Sequence, residues 1–198
     1  ETAGGASSGT AVIAPAVTAV SATNVAVGAG LVLTGTNLSR ATAFQVGAVT
    51  VAASAASDTS VTLAMPGVPV TGVLSVVSAA GTATTAYSVN VYQPVTVASI
   101  APATGGAGSS VTVTGKGMGA VTAVQFGSGA SAIPQSQDPT SVTVVVPEGA
   151  ATGPLTLRGP YNDVASSDSY IVLPSVTVTS ISSLVTGATL SVTVQGSN

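Results

Sequence analysis

The side chains that could do acid–base chemistry in this chain are six scattered carboxylates. They are Glu1, Asp58, Asp138, Glu148, Asp163 and Asp168. Carboxylate catalysis requires two acids that converge on one site, and calcium loops require acids at alternate positions. The closest pair, Asp163 and Asp168, brackets residues 164–167, which are predicted to form a turn. Turn formation explains these Asp residues as well as a calcium site does, so we expect no metal and no cofactor.

Other catalytic side chains are missing. The chain contains no Cys and no His, which excludes disulfides, thiolate or imidazole metal sites and nucleophile–histidine pairs. Lys116 lies between two glycines, but no Ser or Thr follows as in a phosphate-binding loop. The sequence therefore predicts that the protein is not an enzyme.

The charge pattern limits the partners. The chain has three Lys and Arg residues and six Asp and Glu residues. Only 5% of its residues are charged, whereas an average domain has about 25%. So few basic residues cannot follow a phosphate backbone, and we expect no nucleic-acid partner. No apolar run approaches the ~20 residues of a membrane-spanning helix, and we expect the protein not to be embedded in a membrane.

The remaining composition indicates an all-β fold. Val and Thr favour strands, and the 23 Gly and 11 Pro residues favour turns. Val111 and Val113 alternate with Thr112 and Thr114, as in an antiparallel strand with one buried face. No stretch has the pattern of an amphipathic helix.

The chain repeats itself with a period of about 80 residues, which suits a sandwich of about seven short strands. Five landmarks recur in the same order: Leu31 to Asn37 as Val111 to Gly117, Phe44 to Gly47 as Val124 to Gly127, Thr59 to Pro66 as Thr140 to Pro147, Gly72 to Val76 as Gly153 to Leu157, and Tyr87 to Val89 as Tyr170 to Val172. We interpret the aromatic residues Phe44, Phe126, Tyr87 and Tyr170 as core residues. Asn37 fits an N-glycosylation pattern, but it also stands where the repeat favours a glycine-like turn residue, and the turn is the better explanation.

The second unit carries a family resemblance. Its motifs are Ser99-Ile100-Ala101-Pro102, Gly105-Gly106-Ala107-Gly108, Thr114-Gly115-Lys116-Gly117, Val124-Gln125-Phe126-Gly127 and Val146-Pro147. In this order they resemble an IPT/TIG domain. The first unit lacks the early Pro and exchanges the positions of Phe and Val. The resemblance implies tandem immunoglobulin-like antiparallel sandwiches, which in bacteria are commonly joined in secreted and cell-surface proteins. We therefore expect an extracellular or bacterial cell-surface location.

After Pro174 the pattern begins again. Residues 177–181 match 96–100, and residues 192–198 match 111–117. We predict an N-terminal extension at 1–14 with a candidate donor strand, sandwiches at 15–93 and 94–173, and the first two strands of an incomplete third unit at 174–198. Either the chain is a fragment of a longer array, or a neighbouring molecule completes the third unit by β-augmentation.

Weakly charged, Val-rich strands lack the usual protection against edge pairing. This favours a structural subunit that pairs with itself, a homopolymer formed by strand complementation into a filament, sheath or surface layer. The candidate assembly residues are Val12, Ile13, Val176, Val178, Ile181, Leu190, Val192 and Val194. The alternative is a set of spacer or ligand-recognition modules in a surface adhesin or a secreted carbohydrate-active protein, with surface glycans as partners.

Overall fold

The computed structural model describes residues 13–186 and 189–197, and these residues form a nearly all-β structure. The chain divides into two compact units, the first ending at Pro94 and the second beginning at Val95. Val12, a candidate assembly residue, lies outside the described residues.

Eight strands build the first unit. They are β1 (Ala16–Val20), β2 (Asn24–Ala26), β3 (Gly30–Thr36), β4 (Ala41–Val46), β5 (Val49–Ala56), β6 (Ser60–Ala64), β7 (Val70–Ser78) and β8 (Gly81–Tyr92). A single 3₁₀ turn, Leu38–Arg40, separates β3 from β4.

The second unit contains nine strands and a terminal hairpin of two more. The strands are β9 (Thr96–Ala101), β10 (Thr104–Gly105), β11 (Ser110–Lys116), β12 (Ala123–Phe126), β13 (Ser131–Ala132), β14 (Ser136–Gln137), β15 (Ser141–Val145), β16 (Gly153–Arg158), β17 (Asp163–Val172), β18 (Thr177–Thr186) and β19 (Thr189–Ser197). A 3₁₀ turn at Met118–Ala120 follows β11, as in the first unit.

Strand order is the same in both units. In the first, the strands lie in the order β1-β3-β6-β5-β4-β7-β8-β2, and β5 pairs with β4 at its start and with β6 at its end. In the second, the corresponding sheets are β14-β15-β11-β9 and β10-β17-β16-β12-β13. Where β5 is continuous, the second unit has β13 and β14 with Pro134 between them. Pro cannot donate to a ladder, which accounts for the interruption.

The period-two pattern of the strands places one face of each sheet in a core. In β11, Val111 and Val113 are fully buried while Thr112 and Thr114 are half-buried, which confirms the predicted alternation. Each unit has its own apolar cluster, drawn from both of its sheets.

The exchange of Phe and Val between the units is a swap of two core positions. Phe44 and Val46 pair with Val76 and Leu74 on β7, and all four side chains are buried. On β12 and β16, the pairs are Val124 with Leu157 and Phe126 with Leu155, again all buried. The interior therefore keeps one large aromatic residue at either of two neighbouring sites.

Two sequence predictions are wrong. Residues 164–167 form no turn but lie inside β17. The tyrosines are not equivalent either, because Tyr170 pairs with Gly153 whereas Val89 pairs with the matching Gly72. Tyr170 is fully buried beside Phe126, with ring centroids 5.4 Å apart in an edge-to-face arrangement. Tyr87 is only half-buried.

The last strands of both units contain the same bulge, and the residue that matches Tyr170 in the first unit is Val89. In both units the pairing of the last two strands slips, between Val73 and Ser75 in the first and between Pro154 and Thr156 in the second. Tyr87 lies in the first bulge, where its N–H donates to the Thr85 hydroxyl at 3.1 Å. Its own hydroxyl donates to the carbonyl of Thr18 and so joins β8 to β1.

Candidate functional site

Among the described residues, no three metal-ligating side chains come together. Four charged groups hold turns and strand ends instead. Asp58 accepts a hydrogen bond from the Ser39 hydroxyl at 2.8 Å. Arg158 lies 3.4 Å from Asp163 across β16 and β17, and it also donates to the Gln125 side chain at 2.9 Å. Both members of that ion pair are half-exposed, so its contribution to stability is small.

Asp138 shapes the turn that precedes β15. Its carboxylate accepts hydrogen bonds from the hydroxyls of Ser141 and Thr140, at 2.6 and 2.8 Å, and from their backbone N–H groups, at 2.9 and 2.7 Å. The bond from the Ser141 hydroxyl, followed by those from Thr140, lowers the pKa of Asp138 from 3.8 to about 2. These donors are local to the turn, so the carboxylate has a structural task here.

Asn37 has the turn conformation that the repeat predicts. Its backbone is left-handed at φ 56°, as is that of the matching Gly117 at φ 67°. Each is followed by a buried residue, Leu38 or Met118, at the start of the 3₁₀ turn. Lys116 is exposed at the end of β11.

The terminal hairpin, β18 and β19, presents an open apolar face. Ile181 stands opposite Val194, and Val192 opposite Ser183, so these side chains share one face of the ladder. A bulge between Val178 and Ser180 shifts the register by one residue. Val178 and Ile181 are three residues apart, so a regular strand would place their side chains on opposite faces. The bulge places Val178 on the same face as Ile181.

We call this surface the hairpin face and define it by Val176, Val178, Ile181, Val192 and Val194. All five side chains are exposed, by 57–75%. An open groove of about 340 Å³ lies at one end of this face and is lined by Val176, Val178, Val194, Gly196 and Ser197. Within the described residues, β18 and β19 pair only with each other.

The hairpin has the register of the first two long strands of the second unit. In that unit Ile100 stands opposite Val113, and a shift follows before Val97 meets Gly115. The corresponding hairpin pairs are Ile181 with Val194 and Val178 with Gly196. Val111 and Val113 are 0% exposed, whereas the matching Val192 and Val194 are 57% and 59% exposed. The same local structure is thus covered in one place and open in the other.

The predicted assembly residues separate into three groups. The five residues of the hairpin face come together on one surface. Leu190 pairs with Val185 through the backbone of β19 and β18, and its side chain is outside the described part. Ile13 is exposed before β1, in the other unit, so no common surface is described for it and the hairpin.

Sequence reasoning missed two features. The first is Gly196, whose Cα is so close to the backbone carbonyl of Thr177 that a Cβ atom would overlap it. Gly35 approaches the carbonyl of Ala16 in the same way, and Gly115 that of Thr96. The recurring Gly in the repeated strand was the available signal for this close approach. The second is a parallel pairing inside each unit, between β2 and β8 and between β10 and β17. Short strands without alternation gave no signal for it.

No helix in the described ranges has the length and apolar character needed to cross a membrane. Comparison with curated protein sequences found no match.

Several solved structures resemble the chain at low identity. The surface glycan-binding protein PbSGBP-B from Prevotella bryantii superposes with a TM-score of 0.51 and 16% identity, covering 79% of this chain and 42% of that one. SGBP-B from a xyloglucan utilization locus of Bacteroides uniformis gives 0.39 and 18%, covering 80% and 50%. The extracellular region of plexin A4 gives 0.41 and 16%, covering 85% and 16%. Of these three, only the Prevotella bryantii protein is similar enough to support the fold, and it supports nothing beyond the fold. This chain spans less than half of that protein's length.

The family comparison concerns the second unit. The model of the IPT/TIG domain matches residues 94–172. This range contains the strands β9 to β17, whose order the first unit repeats. Residues 94–172 therefore form an IPT/TIG domain, preceded in the same chain by a second immunoglobulin-like sandwich of the same strand order.

Proposed function

We propose that the two sandwiches are non-catalytic spacer modules of an extracellular protein, at a bacterial cell surface. The observation that carries this proposal is the parallel pairing between an early strand and the last strand of each unit. Tandem sandwiches lie in series along the chain, so tension on a surface protein passes through each of them in turn.

In the first unit, the parallel pair joins residues 24–26 of β2 to residues 90–92 of β8. Backbone hydrogen bonds extend it at both ends, from Asn90 N–H to the Thr23 carbonyl at 2.8 Å and from Val27 N–H to the Tyr92 carbonyl at 2.9 Å. The Asn90 side chain also donates to that of Asn24 at 3.1 Å.

In the second unit, the pair is shorter. Thr104 and Gly105 of β10 lie beside Ile171 and Val172 of β17. Backbone bonds run from Ile171 N–H to the Ala103 carbonyl at 2.9 Å and from Leu173 N–H to the Gly105 carbonyl at 3.0 Å.

This geometry resists extension. The early strand connects to the N-terminal side of its unit, and the parallel last strand leads out on the C-terminal side. Opposed pulling therefore slides the two strands past each other and loads the hydrogen bonds together. In an antiparallel hairpin pulled at its open end, the bonds would break one after another.

The proposal is tested by single-molecule stretching of the full chain and of Val27→Pro, which lacks the N–H that bonds to Tyr92. We expect Val27→Pro to lower the force of one unfolding event and leave the other unchanged. Val27 also packs against the core, so Val27→Ala serves as the control that loses packing but keeps the N–H. Equal forces for Val27→Pro and Val27→Ala would contradict the proposal.

A second candidate function is glycan recognition. Tyr161 is 43% exposed in the loop between β16 and β17, close in sequence to the Arg158–Asp163 pair. Aromatic faces with neighbouring polar groups suit sugar rings, and the Prevotella bryantii protein is described as a surface glycan-binding protein. Affinity electrophoresis of the full chain in gels containing β-glucans tests this function. Retardation that Tyr161→Ala removes and Tyr161→Phe retains would favour recognition over a spacer role.

Assembly into a homopolymer by strand complementation stays a prediction.

A further inference from the structure

The turn that joins the last two strands differs in chemistry between the two units. In the first unit Val77 pairs with Thr82, and in the second unit Arg158 pairs with Asp163 at the same register position. The four residues between them are Ser-Ala-Ala-Gly in the first unit and Gly-Pro-Tyr-Asn in the second. Because a turn of the same length forms in both units, the fold itself does not require the charged pair or the tyrosine. We call residues 158–163 the polar turn.

Hydrogen bonds fix the polar turn on both sides of Tyr161. The Asn162 side chain accepts a hydrogen bond from the Val95 N–H and donates one to the Val95 carbonyl, each at 3.2 Å. On the other side of the tyrosine, the Gly159 N–H donates to the Asp163 carboxylate at 3.4 Å. The backbone that carries Tyr161 is therefore held in place before any ligand binds, which reduces the ordering cost of binding.

The polar turn offers both donors and acceptors to solvent. Arg158 Nη1 lies 3.4 Å from Asp163 Oδ2, and Arg158 Nη2 donates to Gln125 Oε1 at 2.9 Å. About half of each charged side chain is exposed. A guanidinium donates hydrogen bonds and a carboxylate accepts them, so two adjacent hydroxyl groups can meet a donor and an acceptor here. Tyr161, which is 43% exposed, adds an aromatic ring with an apolar face.

The balance of charge in the polar turn favours a neutral ligand. The Asp163 carboxylate neutralises the Arg158 guanidinium, and the whole chain carries a net charge of −3. An anionic polymer would be repelled by that carboxylate and by the net charge. Because Arg158, Asp163 and Tyr161 are all about half exposed, this surface is open. It suits a segment of an extended chain better than a small sugar, which needs an enclosing pocket.

We propose that the polar turn binds the interior of a neutral polysaccharide. Tyr161 lies against the face of a sugar ring, and Arg158 and Asp163 bind adjacent hydroxyl groups. This proposal rests on the glycan recognition put forward above as the second candidate function, and it goes further in naming the binding groups and the charge of the ligand. The matching turn of the first unit, with Val77 and Thr82, takes no part.

The test measures the retardation of the full chain in gels that contain a soluble polysaccharide. The neutral polysaccharides are a β-glucan, a galactomannan and a dextran, and the acidic one is polygalacturonate. We expect retardation by a neutral polysaccharide and none by polygalacturonate.

The decisive variant combines Arg158→Val with Asp163→Thr, which gives the second unit the residues of the first and leaves the net charge unchanged. We expect it to weaken binding by about tenfold or more, because hydrogen bonds to charged groups are lost. Tyr161→Ala tests the ring separately, and Thr82→Ala, at the position that matches Asp163, is the control that keeps full binding. Thermal unfolding followed by circular dichroism checks that each variant is folded.

Binding to a neutral polysaccharide that the double variant loses and Thr82→Ala retains would support the proposal. Binding to polygalacturonate alone, lost in the double variant, would overturn the neutral ligand while glycan recognition stands. Binding that both the double variant and Tyr161→Ala retain would overturn the polar turn as the site. If none of the four polysaccharides retards the chain, glycan recognition and this proposal fail together.

Discussion

At the residue scale, the two buried or half-buried tyrosines of the last strands differ in how their hydroxyls are used. Tyr87 donates to the carbonyl of Thr18. The hydroxyl of Tyr170 is buried and has no hydrogen-bond partner among the described residues. An unsatisfied buried hydroxyl costs free energy, whereas a satisfied one contributes a modest net amount.

We therefore expect opposite outcomes from the same substitution. Tyr87→Phe lowers the free energy of unfolding by about 0.5–1.5 kcal/mol, the net value of one hydrogen bond. Tyr170→Phe leaves it unchanged or raises it, because the ring and its contact with Phe126 remain. Urea unfolding of both variants measures the difference. Equal losses would show that the Tyr170 hydroxyl has a partner.

Asp138 gives the second residue-scale prediction. Its pKa is about 2 in the folded protein, below the ordinary 3.8, so the native state binds its proton more weakly than the unfolded state. Its stabilisation is therefore present above pH 4 and is lost as the pH falls from about 4 to about 2. We expect the unfolding free energy of the wild type to fall more steeply across that window than that of Asp138→Asn. Parallel pH profiles of the two proteins would contradict this assignment.

At the element scale, close approach between neighbouring strands depends on a repeated glycine. A Cβ atom on Gly35 would overlap the carbonyl of Ala16 on β1, which is backbone and cannot rotate away. We expect Gly35→Ala to destabilise the first unit by about 1–3 kcal/mol, the usual range for overpacking. Gly67→Ala in the same unit is the control, since nothing lies within 4 Å of its Cβ position. Calorimetry of the two variants decides whether β1 needs this contact.

The elements also show how far sequence reasoning reached. The alternation of Val111 and Val113 with threonines correctly predicted β11, because a strand with one buried face requires that pattern. Matching Tyr87 to Tyr170 failed, because the strand pairing places Val89, not Tyr87, at the position of Tyr170. Tyr is found at the core position in one unit and Val in the other, so the residue type alone did not identify the matching position.

The hairpin face was predictable in part. Residues 177–181 and 192–198 matched earlier strands, which correctly indicated paired strands with apolar positions. The bulge that brings Val178 onto the same face as Ile181 was not evident from the sequence. The spacing of apolar residues does not indicate it, and the only trace of it is Gly196, where the two strands approach closely.

At the scale of the whole molecule, the low charge and the repeated sandwiches are both consistent with a role as a structural module. Only 5% of residues are charged, and the charged side chains with described partners hold turns and strand ends. Both units repeat the same sandwich, in which an early strand pairs in parallel with the last strand. These properties fit modules that bear tension and separate other domains. Recognition of a ligand would then be the task of a loop or of another domain.

The most direct test of this account is the extension trace of the full chain pulled from its ends. We predict two separate unfolding events, each releasing roughly 25 nm, the length of about 77 extended residues. The weaker event belongs to the second unit, whose parallel pair is shorter, so Val27→Pro shifts the stronger one. A trace that lengthens gradually at low force, or that shows a single combined event, would contradict the claim that the two sandwiches are autonomous load-bearing spacers.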